Sequence, residues 1–193
     1  MNKSIDKNID KRKAILDASL KLFCEKCFQD TSTASISQQA NVATGTLFLY
    51  FESKEVLVNE LYLECKEDYA LYLERDISKL QSFNAKLKHI WEKGLEWRIN
   101  NPDKLKFMMQ FCSSPYITKL TKEKALMRLQ ILNEVVKEGI ADKEISASDP
   151  ELLSSMLTGY FHTAALFLME NTGSKNFTRW KEEAFDYIWK GIH

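Results

Sequence analysis

Cys24 and Cys27 form a C-x-x-C pair. Such a pair holds a structural zinc when a second ligand pair follows at suitable spacing, and acts as a redox dithiol when it follows a strand. Here Cys65 and Cys112 stand alone, His89, His162 and His193 fit no zinc spacing, and the flanks of the pair are helical in pattern. The pair therefore reads as two small apolar residues at a helix end, with reduced thiols. No histidine has a glutamate three residues before it, which removes the helical di-iron motif. Glycine-rich phosphate loops, H-E-x-x-H and G-x-S-x-G are absent too. The sequence calls for no catalytic residue, no metal and no cofactor, so an enzyme is not expected.

The residues that stand out are 31–51, TSTASISQQANVATGTLFLYF. None is charged, in a chain that is 28% charged, and hydroxyls are dense. A short helix fits 33–40, capped by Ser32 or Thr33, with Ile36 and Ala40 facing inward. Asn41 and Val42 make a tight turn, and a second short helix fits 44–51 with Leu47 and Phe51 inward. Two short helices around a tight turn follow the helix-turn-helix plan, whose second helix enters the DNA major groove. Lys+Arg and Asp+Glu number 27 each, so DNA binding has to come from a local patch. Lys11-Arg12-Lys13 is one such cluster, either a phosphate contact or an ordinary solvated face. Tyr50 reads as a DNA contact or a packed aromatic. Phe48 and Leu49 offer apolar contact, as to thymine methyls.

The elements that would hold this motif are helices. Only 6 Gly and 3 Pro occur, against 45% hydrophobic residues, and no segment alternates as a strand. Periodicity gives about nine helices. Asn101-Pro102, Ser114-Pro115 and Asp149-Pro150 each place a capping residue before a proline, the signature of a helix start. A helix is expected from Pro115 to Gly139, ended by that glycine. The apolar segment from Pro150 to Asn171 carries Leu153, Met156, Leu157, Tyr160, Ala164 and Phe167, and the last helix adds Phe185, Ile188 and Trp189. A helix apolar on most sides needs partners on more than one side. A two-fold bundle of two chains would supply them, so these nine residues are the expected homodimer interface. Trp91, Phe107, Phe111, Tyr116, Phe161 and His162 either line a cavity for a hydrophobic or aromatic effector or fill a core. No apolar run approaches the ~20 residues of a membrane span, and the polar N-terminus is no secretory signal. A cytoplasmic protein with no membrane partner is expected.

Residues 13–57 resemble the TetR family of bacterial transcriptional regulators. The likeness is carried by Ile15-Leu16-Asp17-Ala18, Leu22-Phe23, Phe28, Thr31-Ser32, Ile36, Val42, Gly45-Thr46-Leu47, Tyr50-Phe51 and Lys54-Glu55-Val56-Leu57. It implies an all-α fold with a helix-turn-helix DNA-binding domain over residues 1–55, its motif at about 32–51, and a helical effector-binding and dimerisation domain over 56–193. It also implies a ligand-responsive regulator, a repressor by family default, whose partners are a double-stranded DNA operator and a small-molecule effector. Thr33, Thr44, Thr46, Tyr50 and Lys54 fall where the family touches the DNA backbone, and Gly45 where the recognition helix nears the bases. Departures from the pattern are Cys27 for a helix-ending glycine, Asn41 for the glycine before Val42, Thr44 for a lysine and Phe48 for a tyrosine. Cys27 has to be left-handed and strained or the turn has to close differently. Asn41 tolerates the left-handed region. With so few cations, a shallow salt dependence and A·T-leaning operators are expected. The rival reading is a helix-turn-helix protein that acts through a protein partner.

Overall fold

The structure is a computed structural model that describes residues 2–147 and 149–192, with backbone alone for residues 2–9. Among the described residues there are ten α-helices, one short 3₁₀ turn and no strand. They are α1 (Asn2–Glu25), α2 (Thr33–Gln39), α3 (Thr44–Tyr50), α4 (Lys54–Glu74), α5 (Phe83–Asn100), α6 (Pro102–Phe111), α7 (Lys119–Arg128), α8 (Ile131–Ala141), α9 (Pro150–Glu170) and α10 (Phe177–Gly191). The tenth helix arises because the expected 115–139 helix is two. Pro115 lies in a turn before α7, and a break near Gln130 separates α7 from α8. Pro102 and Pro150 do open helices, and Asp149 Oδ1 caps α9 by accepting from the N–H groups of Glu151 and Leu152, both at 2.9 Å.

Gly139 does not end its helix. It lies inside α8, where a Cβ would stand 2.5 Å from Phe83 Cδ2. The residue that turns left-handed is Lys143 (φ 59°), and Glu144 N–H closes the turn on Gly139 O at 2.9 Å. Glycine is thus used here for close packing of α8 on Phe83 and not as a cap.

The helices form two units that do not follow chain order. The first takes residues 1–67 and 101–126, the second residues 68–100 and 127–193. In the first, α1, α2, α3, the start of α4 and α6 enclose Ile15, Phe23, Ile36, Leu47, Phe51, Leu57 and Phe107, none more than 1% exposed. In the second, α5, α8, α9 and α10 pack around Leu87, Trp91, Leu95, Val136, Leu157 and Ala165. Burial of such side chains stabilises by about 1.5–3 kcal/mol each. The indole N–H of Trp97 donates to Asp68 at 2.9 Å, and the hydroxyl of Tyr160 donates to Ala184 O at 2.8 Å, which ties α9 to α10.

By length and composition α9 is apolar enough to cross a membrane, with a mean hydropathy of 1.3 over its most apolar window. Its Ser154, Leu157, Phe161, Ala165 and Leu168 line the core of the second unit. Leu152 (59% exposed), Met156 (62%) and Phe167 (50%) remain on its open side.

Candidate nucleic-acid interface

The motif is built by local chemistry. Ser32 Oγ accepts from Ser35 N–H at 3.0 Å and caps α2. At the other end Asn41 turns left-handed (φ 54°), its N–H bonds Gln38 O, and Val42 N–H reaches back to Ser37 O at 3.0 Å. This six-residue closure satisfies the last carbonyls of α2 and redirects the chain. Asn does here what glycine usually does, at small cost. Ile36 and Leu47 are fully buried and Phe51 nearly so, and they pin both helices to the first unit's core. The opposite side of α3 stays open. Thr44, Gly45, Phe48 (46%) and Leu49 (83%) are exposed, while Thr46 and Tyr50 are half-buried. No atom lies within 4 Å of where a Cβ on Gly45 would stand. Thr33, at the start of α2, is half-buried and its carbonyl accepts from Ser37 Oγ at 2.8 Å.

Lys54 departs from the expectation of an open phosphate contact. Its ammonium donates to Phe28 O (2.7 Å) and Thr31 O (2.9 Å) and lies 4.1 Å from the Phe28 ring centre. The charge is spent inside the protein, holding the 28–31 turn that delivers Ser32 to its cap. This also answers how the chain turns without a glycine at Cys27. Cys27 is not left-handed. Instead Thr31 Oγ1 donates to Cys27 O at 3.1 Å and Lys54 gathers the following carbonyls. Phe28 stacks on Tyr116 at 3.8 Å on the same ring, Gln29 Nε2 donates to the Tyr116 hydroxyl, and Asn59 ties Tyr116 O and Thr118 N–H to α4 at 2.8 and 3.0 Å. Asn59 was not singled out by its sequence; a buried amide amid Val58 and Leu61 was the available signal. Arg12 is also engaged, with Glu60 (3.1 Å) and Glu64 (3.0 Å), and it lies over Phe51. Lys11 and Lys13 are exposed.

The six expected effector residues divide between the two units. Phe107, Phe111 and Tyr116 belong to the first unit, where Phe107 and Phe111 pack with Phe23 (6.1 and 5.6 Å). Trp91, Phe161 and His162 belong to the second, where the Trp91 and Phe161 rings lie 5.2 Å apart. Phe107 and Trp91 are 0% and 1% exposed and fill cores. Beside Trp91 the second unit opens a cleft of about 230 Å³ whose wall is mostly charged, with Lys88, Glu92, Lys181, Glu182 and Asp186 around Phe185. The dimer set needs the same correction. Leu157 (0%) and Phe185 (5%) are core of their own chain, because α9 and α10 turn those faces onto α5 and α8. Met156 and Phe167 are exposed, and Leu153, Tyr160, Ala164, Ile188 and Trp189 are half-buried. A groove of about 430 Å³ between α9 and α10 is lined by Tyr160, Ala164, Phe167, Trp180 and Tyr187.

Among the described residues no group of three or more His, Cys, Asp or Glu is placed to bind a metal. Cys24 is buried and donates to Asp103 O at 3.2 Å. Burial, with the Asp103 charge adding to it, pushes its pKa up from 9.0 to about 11. Cys27 is exposed, and no disulfide joins any of the four cysteines.

A capped helix, a left-handed turn and a second helix whose outer face is open define a DNA-binding regulator of the helix-turn-helix class. Residues 15–61 match the family described as "Bacterial regulatory proteins, tetR family". The chain is 24% identical over 183 residues to the fatty acid metabolism regulator protein of Bacillus subtilis, covering 93% of this chain and 94% of that one. A TetR family transcription regulator from Shewanella sp. PV-4 superposes with a TM-score of 0.84 at 28% identity, over 94% of this chain and 97% of that one. The regulator FadR of B. subtilis, solved with stearoyl-CoA, shares the fold with a TM-score of 0.78 at 24% identity, over 94% and 99% of the two chains. Over its helix-turn-helix unit the chain is thus similar to the TetR family. These similarities support a DNA-binding transcriptional regulator and not an enzyme, and the protein-partner reading is not favoured.

Proposed function

We propose that the chain is a cytoplasmic, dimeric repressor, without a membrane partner, that grips a palindromic operator through α3 and lets go when a small hydrophobic effector binds. The carrying observation is α3 itself: a short helix fixed from behind by Leu47 and Phe51, with an uncharged outer face open to a groove. DNA contacts fall to Thr33, Thr44, Gly45, Thr46, Phe48, Leu49 and Tyr50, and Lys54 serves by shaping the turn behind them. Two copies meet through Leu153, Met156, Tyr160, Ala164, Phe167, Ile188 and Trp189, which sets two recognition helices about one DNA turn (~34 Å) apart. The effector contacts the second unit beside Trp91, Phe161 and His162. Its class is a long-chain acyl thioester, supported by the B. subtilis relative and by the stearoyl-CoA bound to FadR. Operator and effector binding oppose each other by about 1–3 kcal/mol, reciprocally.

The test is selection of genomic fragments on the purified chain, followed by titration of the retained DNA with stearoyl-CoA or an aromatic acid. Enrichment of a palindrome and its release by stearoyl-CoA is the expected result. Release by the aromatic acid alone would replace the acyl class, and a retained palindrome that neither compound releases would remove the hydrophobic effector. Met156→Glu with Phe167→Glu should give a folded monomer by light scattering that no longer retains the palindrome. A dimer that survives both charges would place the interface elsewhere.

A further inference from the structure

We propose that α3 reads the 5-methyl group of thymine through Leu49, assisted by Phe48, and reads it as a methyl group and not as part of a base-pair hydrogen-bond pattern. The proposal rests on the DNA-binding reading above and specifies what that face recognises. The pairings that pick out guanine or adenine need Arg or Lys, or Asn or Gln, and α3, TGTLFLY, contains none of them. The hydroxyls of Thr44, Thr46 and Tyr50 can both donate and accept, so they discriminate weakly between bases. What remains on the outer face is Leu49, 83% exposed, and Phe48, 46% exposed.

Position sharpens the assignment. Residues four apart share a helix face, so Leu49 lies beyond Gly45 and Phe48 beyond Thr44. Gly45 presents no side chain, and the space around it is open. The strip that leads to Leu49 therefore lets a base edge come close. The one apolar group that the major groove displays is the thymine methyl. Two of the cations near the motif are engaged within the protein, Arg12 with Glu60 and Glu64 and Lys54 with the 28–31 turn, while Lys11 and Lys13 stay exposed. Contact with a methyl group thus supplies a larger share of sequence discrimination than it would beside a lysine-rich helix. A reader of methyl groups treats 5-methylcytosine as it treats thymine in this one respect, because both carry the methyl at the same place in the groove.

The experiment starts from an operator selected out of random duplexes by the full-length protein. Each thymine is replaced in turn by deoxyuridine, which removes only the methyl. The T·A pairs that respond are then replaced by C·G and by 5-methylcytosine·G. The expected result is a loss of about fourfold in affinity for each contacted methyl removed, and tighter binding of the 5-methylcytosine operator than of its cytosine counterpart. Leu49→Ala should bind thymine and uracil operators equally at the main position, with unchanged thermal unfolding and oligomeric state, because Leu49 is exposed. Wild-type protein that binds uracil operators as tightly as thymine operators overturns the proposal while leaving DNA binding intact. So does Leu49→Ala with full sensitivity to uracil. Failure to enrich any operator refutes the DNA-binding reading itself, and this proposal with it.

Discussion

Replacing Lys54 by methionine separates two roles that its sequence position cannot. Methionine keeps the length of the stem and removes the charge. In the structure the ammonium makes two hydrogen bonds to carbonyls, at 2.7 and 2.9 Å, and a cation–π contact at 4.1 Å. Hydrogen bonds to charged groups contribute about 1.5–3 kcal/mol each, and an exposed cation–π contact about 0.5–1 kcal/mol. Lys54 is only half-buried, and part of the loss is returned by water at the freed carbonyls. The expected destabilisation is therefore about 2–4 kcal/mol, which is roughly 5–15 °C in a chain of this size.

Circular dichroism on heating measures that loss, and hydrogen exchange across residues 26–40 locates it. Faster exchange should begin at the 28–31 turn and include the cap of α2 at Ser32. Operator affinity should fall by a factor that does not change with salt, since no phosphate contact has been removed. A lysine that met a phosphate would behave in the opposite way: the melting temperature would stay, and the slope of log affinity against log salt would shrink by about 0.9 for each protomer. That pair of results would refute the clamp and restore Lys54 to the DNA surface.

Arg12→Ala should leave the same salt slope unchanged and cost under about 1 kcal/mol in urea, because its partners Glu60 and Glu64 are roughly half exposed; a fall in slope would show that Arg12 leaves them for DNA. Gly139→Ala should lower the unfolding free energy in urea by about 1–3 kcal/mol, read by tryptophan fluorescence, since its Cβ would overlap the Phe83 ring; an unchanged urea midpoint would mean that α8 shifts freely. A thiol reagent at pH 8 should label Cys27 and Cys112 in the native protein, and Cys24 and Cys65 only after unfolding. Cys24 titrates near 11 when folded, against 9.0 for an unperturbed thiol. Its contribution to stability is therefore complete below pH 9 and declines between 9 and 11 as the unfolded thiol ionises first. Cys24→Ala should flatten that part of the alkaline stability profile, and a profile unaltered by the substitution would exclude the thiol as its source.

Local chemistry was legible in the sequence, and partnership was not. Ser32, Asn41, Leu47 and Phe51 act within a few residues of themselves, so cap, turn and inward face follow from residue type and period. The same holds for Pro102 and Asp149-Pro150. Pro115 shows the limit, because a proline that suits a helix start suits a turn equally well. The bonds of Lys54 were not legible because its partners are 23 and 26 residues away, and no periodicity reports which carbonyls a flexible side chain will find. The aromatic set divided for a related reason. Composition marks Phe107 and Trp91 as fit to line a cavity or fill a core, and only tertiary packing decides. On α9 the apolar residues run round most of the helix, so Leu157 and Met156 look alike in sequence, while packing buries one completely and leaves the other 62% exposed.

That ambiguity bears on how the regulator reaches useful affinity. One α3 with no charge, resting on a methyl group and a few hydroxyls, provides weak discrimination at a half-site. Adding lysines would tighten binding to every sequence alike, since phosphate contacts carry no sequence information. Joining two weak readers raises avidity by about 10²–10⁴ without a new contact, and only where two half-sites stand at the matching spacing. In the proposed dimer the exposed Leu152, Met156 and Phe167 on α9 would be the complement of the uncharged α3. A motif with Lys54 engaged by the turn and Arg12 by α4 would gain from a strong dimer contact in proportion. On this reasoning a charge added to α3, such as Thr44→Lys, should partly rescue DNA binding of the Met156→Glu/Phe167→Glu monomer, but as salt-sensitive affinity with reduced preference for the operator. Rescue with full operator preference would show that specificity does not depend on pairing two weak half-sites.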